Sequence, residues 1–270
     1  MLNVGRIARV VLPSGLYSWL RATKGDYQYQ ERAGRLNPPW TAYGLLMAVR
    51  AAQKYGISSI SVAEFGVANG RGLRRMVNLA ERLKSHTGIN VRVYGFDTGS
   101  GLPTVSDYRD HPELFGEGDY PMQNFDALRA ELKDRAKLVI GDIREIHDLG
   151  SVFDDESPLG FASIDVDIYS SARSILDLLS KIPESLLLPT VQLHFDDVWS
   201  EWGYNKFAGE LLAIEEFNTL VDNRKIDNDR YVDYWHKGHE PWHASMFMLH
   251  VLDHSLRFRS NSDGPKVISE

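Results

Sequence analysis

The sequence predicts an α/β protein with a doubly wound, mostly parallel sheet. Short apolar segments alternate with amphipathic segments of helical period along most of the 270 residues. Helices between successive strands are what parallel pairing requires, so both faces of the sheet should be covered. No Pro-, Gly- or Ser-rich linker, internal repeat or low-complexity tract interrupts this pattern. We therefore predict an N-terminal helical extension at residues 1–40, one domain at 41–260 and a flexible tail at 261–270.

Composition narrows the classes of function. At 43% hydrophobic and 25% charged residues the chain can build a sizeable core, and its net charge of −7 argues against a nucleic-acid partner. The absence of cysteine leaves only Asp, Glu, His or backbone oxygen as metal ligands. No apolar run is long enough to span a bilayer, and Arg6, Arg9 and Pro13 interrupt any signal-like segment. We expect a cytoplasmic protein without a membrane partner.

The elements follow in order along the chain. A polar loop at Lys24–Asn37 precedes a helix at Ala42–Lys54, with Thr41 as its N-cap. Five buried strands are predicted at Ile60–Phe65, Val91–Phe96, Ala136–Ile140, Gly160–Ile164 and Pro189–Phe195. The polar stretch Val105–Gln123 has no period and suits a mobile loop or lid. Helices at Phe125–Asp134 and Phe207–Leu220, and late strands near Arg230–Tyr234 and Ser245–Leu252, complete the prediction.

The first strand leads into a glycine-rich turn, Gly66, Gly70 and Gly72, that opens a helix. Such a turn lets the backbone approach a ligand, and the N–H groups at the helix start favour a negative group. The spacing G-x-x-x-G-x-G differs from the dinucleotide-binding G-x-G-x-x-G. With Glu64 two residues before the first glycine, the stretch resembles class I S-adenosylmethionine-dependent methyltransferases. A strand, turn and helix packed only for stability is the alternative.

Two further acidic residues follow predicted strands. Asp97, at the end of the second strand, is well placed to accept hydrogen bonds from ribose hydroxyls, unless it only caps the following turn. Asp142, after the third strand, suits an adenine amino group and equally suits the N-cap of the next helical turn.

Four carboxylates follow the fourth and fifth strands: Asp165, Asp167, Asp196 and Asp197. The carboxyl ends of neighbouring parallel strands meet at one edge, and carboxylates brought together there repel one another unless a cation lies between them. Oxygen ligands favour Mg²⁺, Ca²⁺ or Mn²⁺. The alternative is that some of the four are N-caps of the helices that follow.

These segments carry a more specific resemblance. IDVDIYSSA, followed later by HFDDV, is similar to the LDgDlYeST … DDY pattern of the macrocin O-methyltransferase family, and GFDTGSGLP is similar to that family's GFDSFEGLP. The resemblance runs from about Glu64 to Val198. Val166, Ala172 and Val198 depart from the family pattern, which leaves the acceptor pocket less defined than the cofactor pocket.

The resemblance implies a Rossmann-like fold of the class I methyltransferase type and assigns roles to residues. Asp165, Asp196 and Asp197 would ligate Mg²⁺, and Asp165 would also take the acceptor proton. The turn with Glu64, Gly66 and Gly70 would hold the methionine part of S-adenosylmethionine, Asp97 the ribose and Asp142 the adenine.

The expected function is therefore a metal-dependent O-methyltransferase acting on a hydroxyl of a small molecule, with a sugar or glycoside as the expected acceptor. Two alternatives stay open. One is a non-catalytic binding protein with the same fold. The other is an NAD-dependent oxidoreductase, against which the glycine spacing speaks.

Several other features allow two interpretations. His194 is a candidate second base, although a histidine at a strand end is more commonly structural. The run His236, His239 and His243 invites a zinc interpretation, but Pro241 disturbs any helix that would align the three, so loop histidines are favoured. The segment Glu210–Glu216 is typical of a solvated helix face. The aromatic residues of the C-terminal third suit an acceptor pocket, a core or a subunit interface equally, which leaves a homo-oligomer open: Trp199, Trp202, Tyr204, Tyr234, Trp235 and Trp242.

Overall fold

A computed structural model describes residues 26–199 and 204–258. These residues build one sheet of seven strands in the order β3-β2-β1-β4-β5-β7-β6. The strands are β1 (Ser59–Phe65), β2 (Asn90–Asp97), β3 (Ala136–Ile140), β4 (Leu159–Ile164), β5 (Leu187–Phe195), β6 (Arg224–Asn228) and β7 (Met246–Val251). Strands β1 to β5 pair in parallel with their neighbours in the sheet, whereas β7 is antiparallel to both β5 and β6. This is the Rossmann-like arrangement of class I methyltransferases, which confirms the predicted fold.

The helices are α1 (Tyr27–Arg32), α2 (Pro39–Tyr55), α3 (Arg71–Thr87), α4 (Phe125–Leu132), α5 (Tyr169–Lys181), α6 (Gly209–Leu220) and α7 (Tyr231–His236). Residues on the two faces of β1 show how the helices cover the sheet. Val62 belongs to the core that contains α2 and α3, whereas Ala63 and Phe65 belong to the core of α5 and α6. Side chains of a strand alternate between faces, so one strand anchors both helical layers.

The strand order places the candidate site. Strands β2 and β3 lie on one side of β1 in the sheet, whereas β4 lies on the other side of β1. Crossovers therefore leave the sheet in opposite directions from β1 and β4, and a crevice opens beyond their carboxyl ends. The predicted acidic residues lie at or just beyond the carboxyl ends of β1, β2, β4 and β5, and therefore at this edge of the sheet.

Three predicted boundaries in the N-terminal part are wrong. The expected polar loop at Lys24–Asn37 contains α1, whose N-cap Asp26 accepts a hydrogen bond from the Tyr29 N–H at 2.8 Å. Helix α2 begins at Pro39 and not at Ala42, because proline at the first position already has the helical φ. Thr41 is buried inside the first turn and does not cap it.

The predicted strand near Arg230–Tyr234 is also wrong, since this segment forms α7, with Val232 and Trp235 buried three residues apart. The real edge strand, β6, lies just before it. Only Ile226 of its five residues is buried, so it lacks the apolar pattern of a strand. Two predicted segments lie outside the described residues: the first part, 1–25, of the extension predicted at 1–40, and the tail predicted at 261–270. None of the helices in the described ranges combines the length and hydropathy that crossing a bilayer would require.

Candidate active site

The turn after β1 is packed so closely that only glycine fits at two positions. Gly66 has φ +88°, and a Cβ there would lie 1.6 Å from the carbonyl oxygen of Asp165. A Cβ on Gly72 would lie 1.9 Å from Oε1 of Glu64. The ends of β1 and β4 therefore meet at Gly66, and the side chain of Glu64 fills the space beneath the start of α3.

Glu64 lies under this turn and is almost completely buried. None of the residues that the structure describes forms a hydrogen bond with its Oε2. Burial, together with the charge of Asp97, raises the pKa of Glu64 to about 8. At neutral pH the carboxyl group is therefore largely protonated, and it supports the turn from below.

Asp97 connects this turn to the one after β2. Its Oδ2 accepts hydrogen bonds from the backbone N–H groups of Val67 and Ala68, both at 2.8 Å, and its Oδ1 accepts one from Gly99 at 2.6 Å. The alternative role as a turn cap is therefore observed. The carboxylate also lines the central cavity, so the predicted ribose contact is compatible with its position.

Asp142 faces a different partner. Its Oδ1 accepts a hydrogen bond from the Arg144 N–H at 2.9 Å, and its Oδ2 forms an ion pair with the Arg144 guanidinium at 2.7 Å. Burial favours a higher pKa, but the hydrogen bonds and charge of Arg144 prevail and lower the pKa of Asp142. The turn-capping alternative is observed, and in this arrangement the flanking Gly141 and Ile143 line the cavity. The adenine contact stays a prediction.

The cavity itself has a volume of about 440 Å³ and lies beyond the carboxyl ends of β1, β2, β4 and β5. Gly66, Ala68 and Asp97 form one side, and the aspartates after β4 and β5 form another. This volume lies within the range of small-molecule sites. One compartment therefore joins the glycine turn to the acidic cluster.

The loop predicted as a lid covers part of this cavity with Phe115, Asp119 and Tyr120. It is attached to α5 through Asp110, which is buried. Oδ1 of Asp110 accepts a hydrogen bond from the Ser170 N–H at 2.8 Å, in the first turn of the helix. The loop thus provides the N-terminal cap that α5 lacks locally, because its N-cap residue is Ile168.

The carboxylates of Asp165, Asp196 and Asp197 meet as predicted. Each offers one oxygen atom, and these atoms lie within 4.8 Å of one another. Asp167, with φ +61°, lines the same cavity. The N-cap positions of α5 and α6 hold Ile168 and Ala208, so the four aspartates do not occupy them.

Crowding of negative charge shifts the pKa values of this cluster. Asp165 is open to the cavity, yet protein surrounds the cavity, and this burial together with Asp196 raises its pKa well above the ordinary range. Burial and neighbouring aspartates raise the pKa of Asp167 to about 7 and that of Asp197 to about 6. Oxygen ligands clustered in this way fit a hard divalent cation.

Glu210, the second residue of α6, is a member of the site that sequence reasoning placed wrongly. It is completely buried and not part of a solvated face, whereas Glu215 is exposed. Its Oε2 accepts a hydrogen bond from the Asp197 N–H at 3.1 Å, and its Oε1 has no partner in the described part of the chain. Burial and the charge of Asp197 raise its pKa well above the ordinary value. Its acidic neighbours on the same helix concealed this role in the sequence.

Tyr204 is a second residue that the sequence did not assign to the acidic cluster. Its hydroxyl donates a hydrogen bond to Oδ1 of Asp197 at 3.0 Å, while Oδ2 of Asp197 is buried and has no partner within residues 26–199 and 204–258. The ring of His111, from the lid loop, packs edge-on against Tyr204 with a centroid separation of 5.4 Å. Tyr204 and Glu210 therefore orient Asp197 from two directions.

His194 lies beneath the site. Its ring stacks on Trp40 with a centroid separation of 5.2 Å, and its Nδ1 lies 3.1 Å from the Ser163 hydroxyl oxygen. Burial lowers its pKa to about 3, and Nε2 lies 3.8 Å from an oxygen of Asp196. These surroundings favour the structural alternative, and the catalytic role stays a prediction.

The C-terminal aromatic residues have separate positions. Tyr204 lines the cavity, Trp235 is buried, Trp242 packs against the core that contains α2, and Trp199 and Tyr234 are exposed. Trp202 lies outside the described residues. One of them thus contributes to the cavity, and two contribute to the core.

Comparison with known proteins gives similarities at the level of solved structures. No protein family matches the sequence, and no curated protein matches it either. The calicheamicin methyltransferase CalS11 is 20% identical over 88% of this chain and 93% of its own, with a TM-score of 0.49. The O-methyltransferase NovP is 17% identical over 68% and 84%, with a TM-score of 0.40, and the structure described as cmcI-D160 Mg-SAM is 13% identical over 80% and 72%, with a TM-score of 0.41.

These similarities are too distant to transfer residue roles, and membership of the macrocin O-methyltransferase family stays a prediction. The assignment of the fold rests on the sheet itself. Five parallel strands in the order β3-β2-β1-β4-β5, extended by an antiparallel pair, form the Rossmann-like sheet of class I methyltransferases.

Proposed function

We propose that this protein is an S-adenosylmethionine- and divalent-metal-dependent O-methyltransferase. Its acceptor would be a hydroxyl of a small molecule, with a sugar or glycoside as the expected class. The observation that carries the proposal is the single cavity shared by the glycine turn after β1 and the carboxylates of Asp165, Asp196 and Asp197. Methyl transfer needs both elements side by side, because donor and nucleophile must be aligned for an in-line displacement.

The donor half of the cavity offers backbone and one carboxylate. Gly66 lets the chain approach a ligand closely, and Asp97 holds the N–H groups of Val67 and Ala68 in place. Asp97 would accept a hydrogen bond from a ribose hydroxyl with the remaining lone pair of Oδ1. Glu64 would act from beneath, by keeping the turn in the shape that the methionine part needs.

The acceptor half fits a hard cation. Asp165, Asp196 and Asp197 supply the oxygen ligands, and the unpartnered Oδ2 of Asp197 is the kind of buried atom that a cation would satisfy. A bound Mg²⁺ would lower the pKa of a coordinated acceptor hydroxyl and orient it. Tyr204 and Glu210 would hold Asp197 in its ligating orientation.

Asp165 would accept the proton of the acceptor hydroxyl. Of the aspartates after β4 and β5, it is the one whose backbone reaches the turn, since a Cβ on Gly66 would meet its carbonyl oxygen. A carboxylate held beside the reacting hydroxyl is one of the groups that act as general base in such a step. The lid residues Phe115 and Tyr120 would exclude water from the cavity.

The proposal is tested by titration calorimetry with S-adenosylmethionine, followed by transfer of a labelled methyl group to a panel of nucleotide sugars, glycosides and catechols in the presence of Mg²⁺. We expect cofactor binding in the wild type, turnover with at least one hydroxylated acceptor, and loss of turnover with EDTA. The variant Asp165→Asn should keep cofactor binding and lose turnover. Absence of S-adenosylmethionine binding to the wild type would remove the proposal.

A further inference from the structure

A second group of potential metal ligands lies in the C-terminal part of the chain. Asp233 on α7, His239 in the following loop and His243 in the 3₁₀ helix Pro241–Ser245 each offer one ligand atom, and these atoms lie within 4.8 Å of one another. Oδ1 of Asp233 lies 3.0 Å from Nδ1 of His239 and 2.6 Å from Nδ1 of His243. The group is separate from the residues that line the central cavity.

The alternative to a metal site is a carboxylate that accepts a hydrogen bond from each of the two imidazoles. Nδ1 of His243 faces both Oδ1 of Asp233, at 2.6 Å, and the N–H of Glu240, at 3.3 Å. This nitrogen carries either a proton, which it donates to Asp233, or a lone pair, which is available to a metal ion. A cation bound between Asp233 and His243 would therefore replace the proton of this hydrogen bond.

Packing fixes the ring of His243. Its side chain is 1% exposed, and its Nε2 has no hydrogen-bond partner among the described residues. The rings of Trp242 and His236 pack against it with centroid separations of 4.3 and 5.1 Å. One ligand is therefore fixed by packing, whereas Asp233 and His239 are more than half exposed and free to adjust.

We propose that Asp233, His239 and His243 form a binding site for Zn²⁺ or a similar borderline transition-metal ion. Two imidazoles and one carboxylate are a typical zinc ligand set, and the spacing of three residues between His239 and His243 is within the zinc range. Around a tetrahedral Zn²⁺, ligand atoms about 2.1 Å from the metal are roughly 3.3 Å apart. The observed separations of 2.6 and 3.0 Å reach this value with small movements of the two exposed side chains. Mg²⁺ prefers oxygen ligands, so the two sites of the protein differ in the ions they select.

The position of the site points to a structural role. Asp233 belongs to α7, which holds the N-terminal helix α1 in place: Glu31 accepts hydrogen bonds from Trp235 Nε1 at 2.6 Å and lies 2.8 Å from His236 Nε2. A metal bound to Asp233 and to both histidines would clip the end of α7 to the 3₁₀ helix that leads into β7. It would stabilise the joint between the two ends of the described chain.

The experiment is a Zn²⁺ titration by isothermal calorimetry. Metal ions are first removed from the protein with a chelator, and the buffer contains Mg²⁺ in excess so that the acidic cluster is occupied. We expect one tight site in the wild type, a binding constant lowered more than about tenfold in His239→Asn and in Asp233→Asn, and an unchanged constant in the control His147→Asn. His147 and His239 are both exposed, so neither change should disturb folding. With Co²⁺ in place of Zn²⁺, visible absorption from nitrogen ligation should appear in the wild type and disappear in His239→Asn.

Three results would overturn the inference: no Zn²⁺ binding in the presence of Mg²⁺, equal binding by His239→Asn and the wild type, or loss of binding in Asp196→Asn instead. The last result would assign the Zn²⁺ to the acidic cluster. The inference is independent of methyl transfer, because a protein that fails to bind S-adenosylmethionine would still show the zinc site.

Discussion

Replacing one carboxylate of the acidic cluster should have opposite effects on stability with and without a cation. The variant is Asp196→Asn, which keeps the size of the side chain and removes its charge. Its oxygen lies within 4.8 Å of oxygen atoms of Asp165 and Asp197. For two full charges at that distance, Coulomb's law with an effective dielectric constant of about 20 gives a repulsion of roughly 3.5 kcal/mol per pair.

The net effect must be smaller than this repulsion. The side chain of Asp196 is 48% exposed, so water and salt screen its charge, and raised pKa values leave the cluster partly protonated at pH 7. We therefore expect the metal-free variant to be more stable than the wild type by about 1 kcal/mol, which corresponds to a Tm higher by about 2–4 °C. The control Asp155→Asn, at an exposed site in another part of the chain, should leave Tm unchanged.

Added Mg²⁺ should reverse the order. A cation at 100 times its Kd stabilises the wild type by about 2.7 kcal/mol, whereas a variant that has lost one of three ligands gains much less. Thermal unfolding with EDTA and with a series of Mg²⁺ concentrations measures both effects in one assay. A metal-free variant less stable than the wild type, or an equal gain from Mg²⁺ in both proteins, would refute this reasoning.

Three other predictions concern the same site. The folded-state pKa values of Asp167 and Asp197 are raised to about 7 and 6. Their contribution to folding stability is therefore complete below the ordinary aspartate pKa near 4 and is lost as pH rises through the raised pKa values. In urea unfolding without metal, the free energy of unfolding should fall between about pH 4 and 8. Gly66→Ala should destabilise the protein by more than about 3 kcal/mol, because the new Cβ would collide with the backbone of Asp165. The control Gly56→Ala, at φ +70° with open space around it, should cost about 1 kcal/mol in the same assay. Glu210→Gln should leave stability nearly unchanged, since the amide keeps an oxygen that accepts the Asp197 N–H hydrogen bond. The matched Glu210→Leu should cost about 1–3 kcal/mol by leaving the Asp197 N–H without a partner.

A different outcome would contradict each of these three predictions. Stability that rises over the same pH range in the absence of metal would mean that the cluster is already neutralised within the protein. A Gly66→Ala variant as stable as Gly56→Ala would show that β4 does not approach the turn. Strong destabilisation by Glu210→Gln would mean that the glutamate is ionised and paired.

The buried strands could be predicted from sequence because parallel strands covered on both faces are continuous apolar segments. The predicted boundaries of β1 to β5 agree with the structure to within two residues. The edge strand β6 could not be found in this way, since Lys225 and Asp227 flank its single buried residue. The same logic explains why the acidic cluster was predictable: adjacent strand ends bring Asp165 and Asp196 together whatever the loops do.

The rest of the site depends on contacts between distant parts of the chain. Tyr204 reaches Asp197 from outside any predicted element, and Asp110 caps α5 from a loop 60 residues earlier. Glu210 belongs to a helix whose acidic pattern is that of a surface, and only tertiary packing beside the Asp197 N–H buries it. A single sequence holds no local signal for such contacts.

The central claim is that a divalent cation and the cofactor occupy one cavity. A crystal structure of the protein with Mn²⁺ and S-adenosylhomocysteine, recorded with anomalous scattering from manganese, tests it most directly. We predict an anomalous peak in contact with Asp165, Asp196 and Asp197, and S-adenosylhomocysteine beside Gly66 and Asp97 with its sulfur directed toward the metal. Manganese bound away from these aspartates, or S-adenosylhomocysteine bound outside this cavity, would contradict the account.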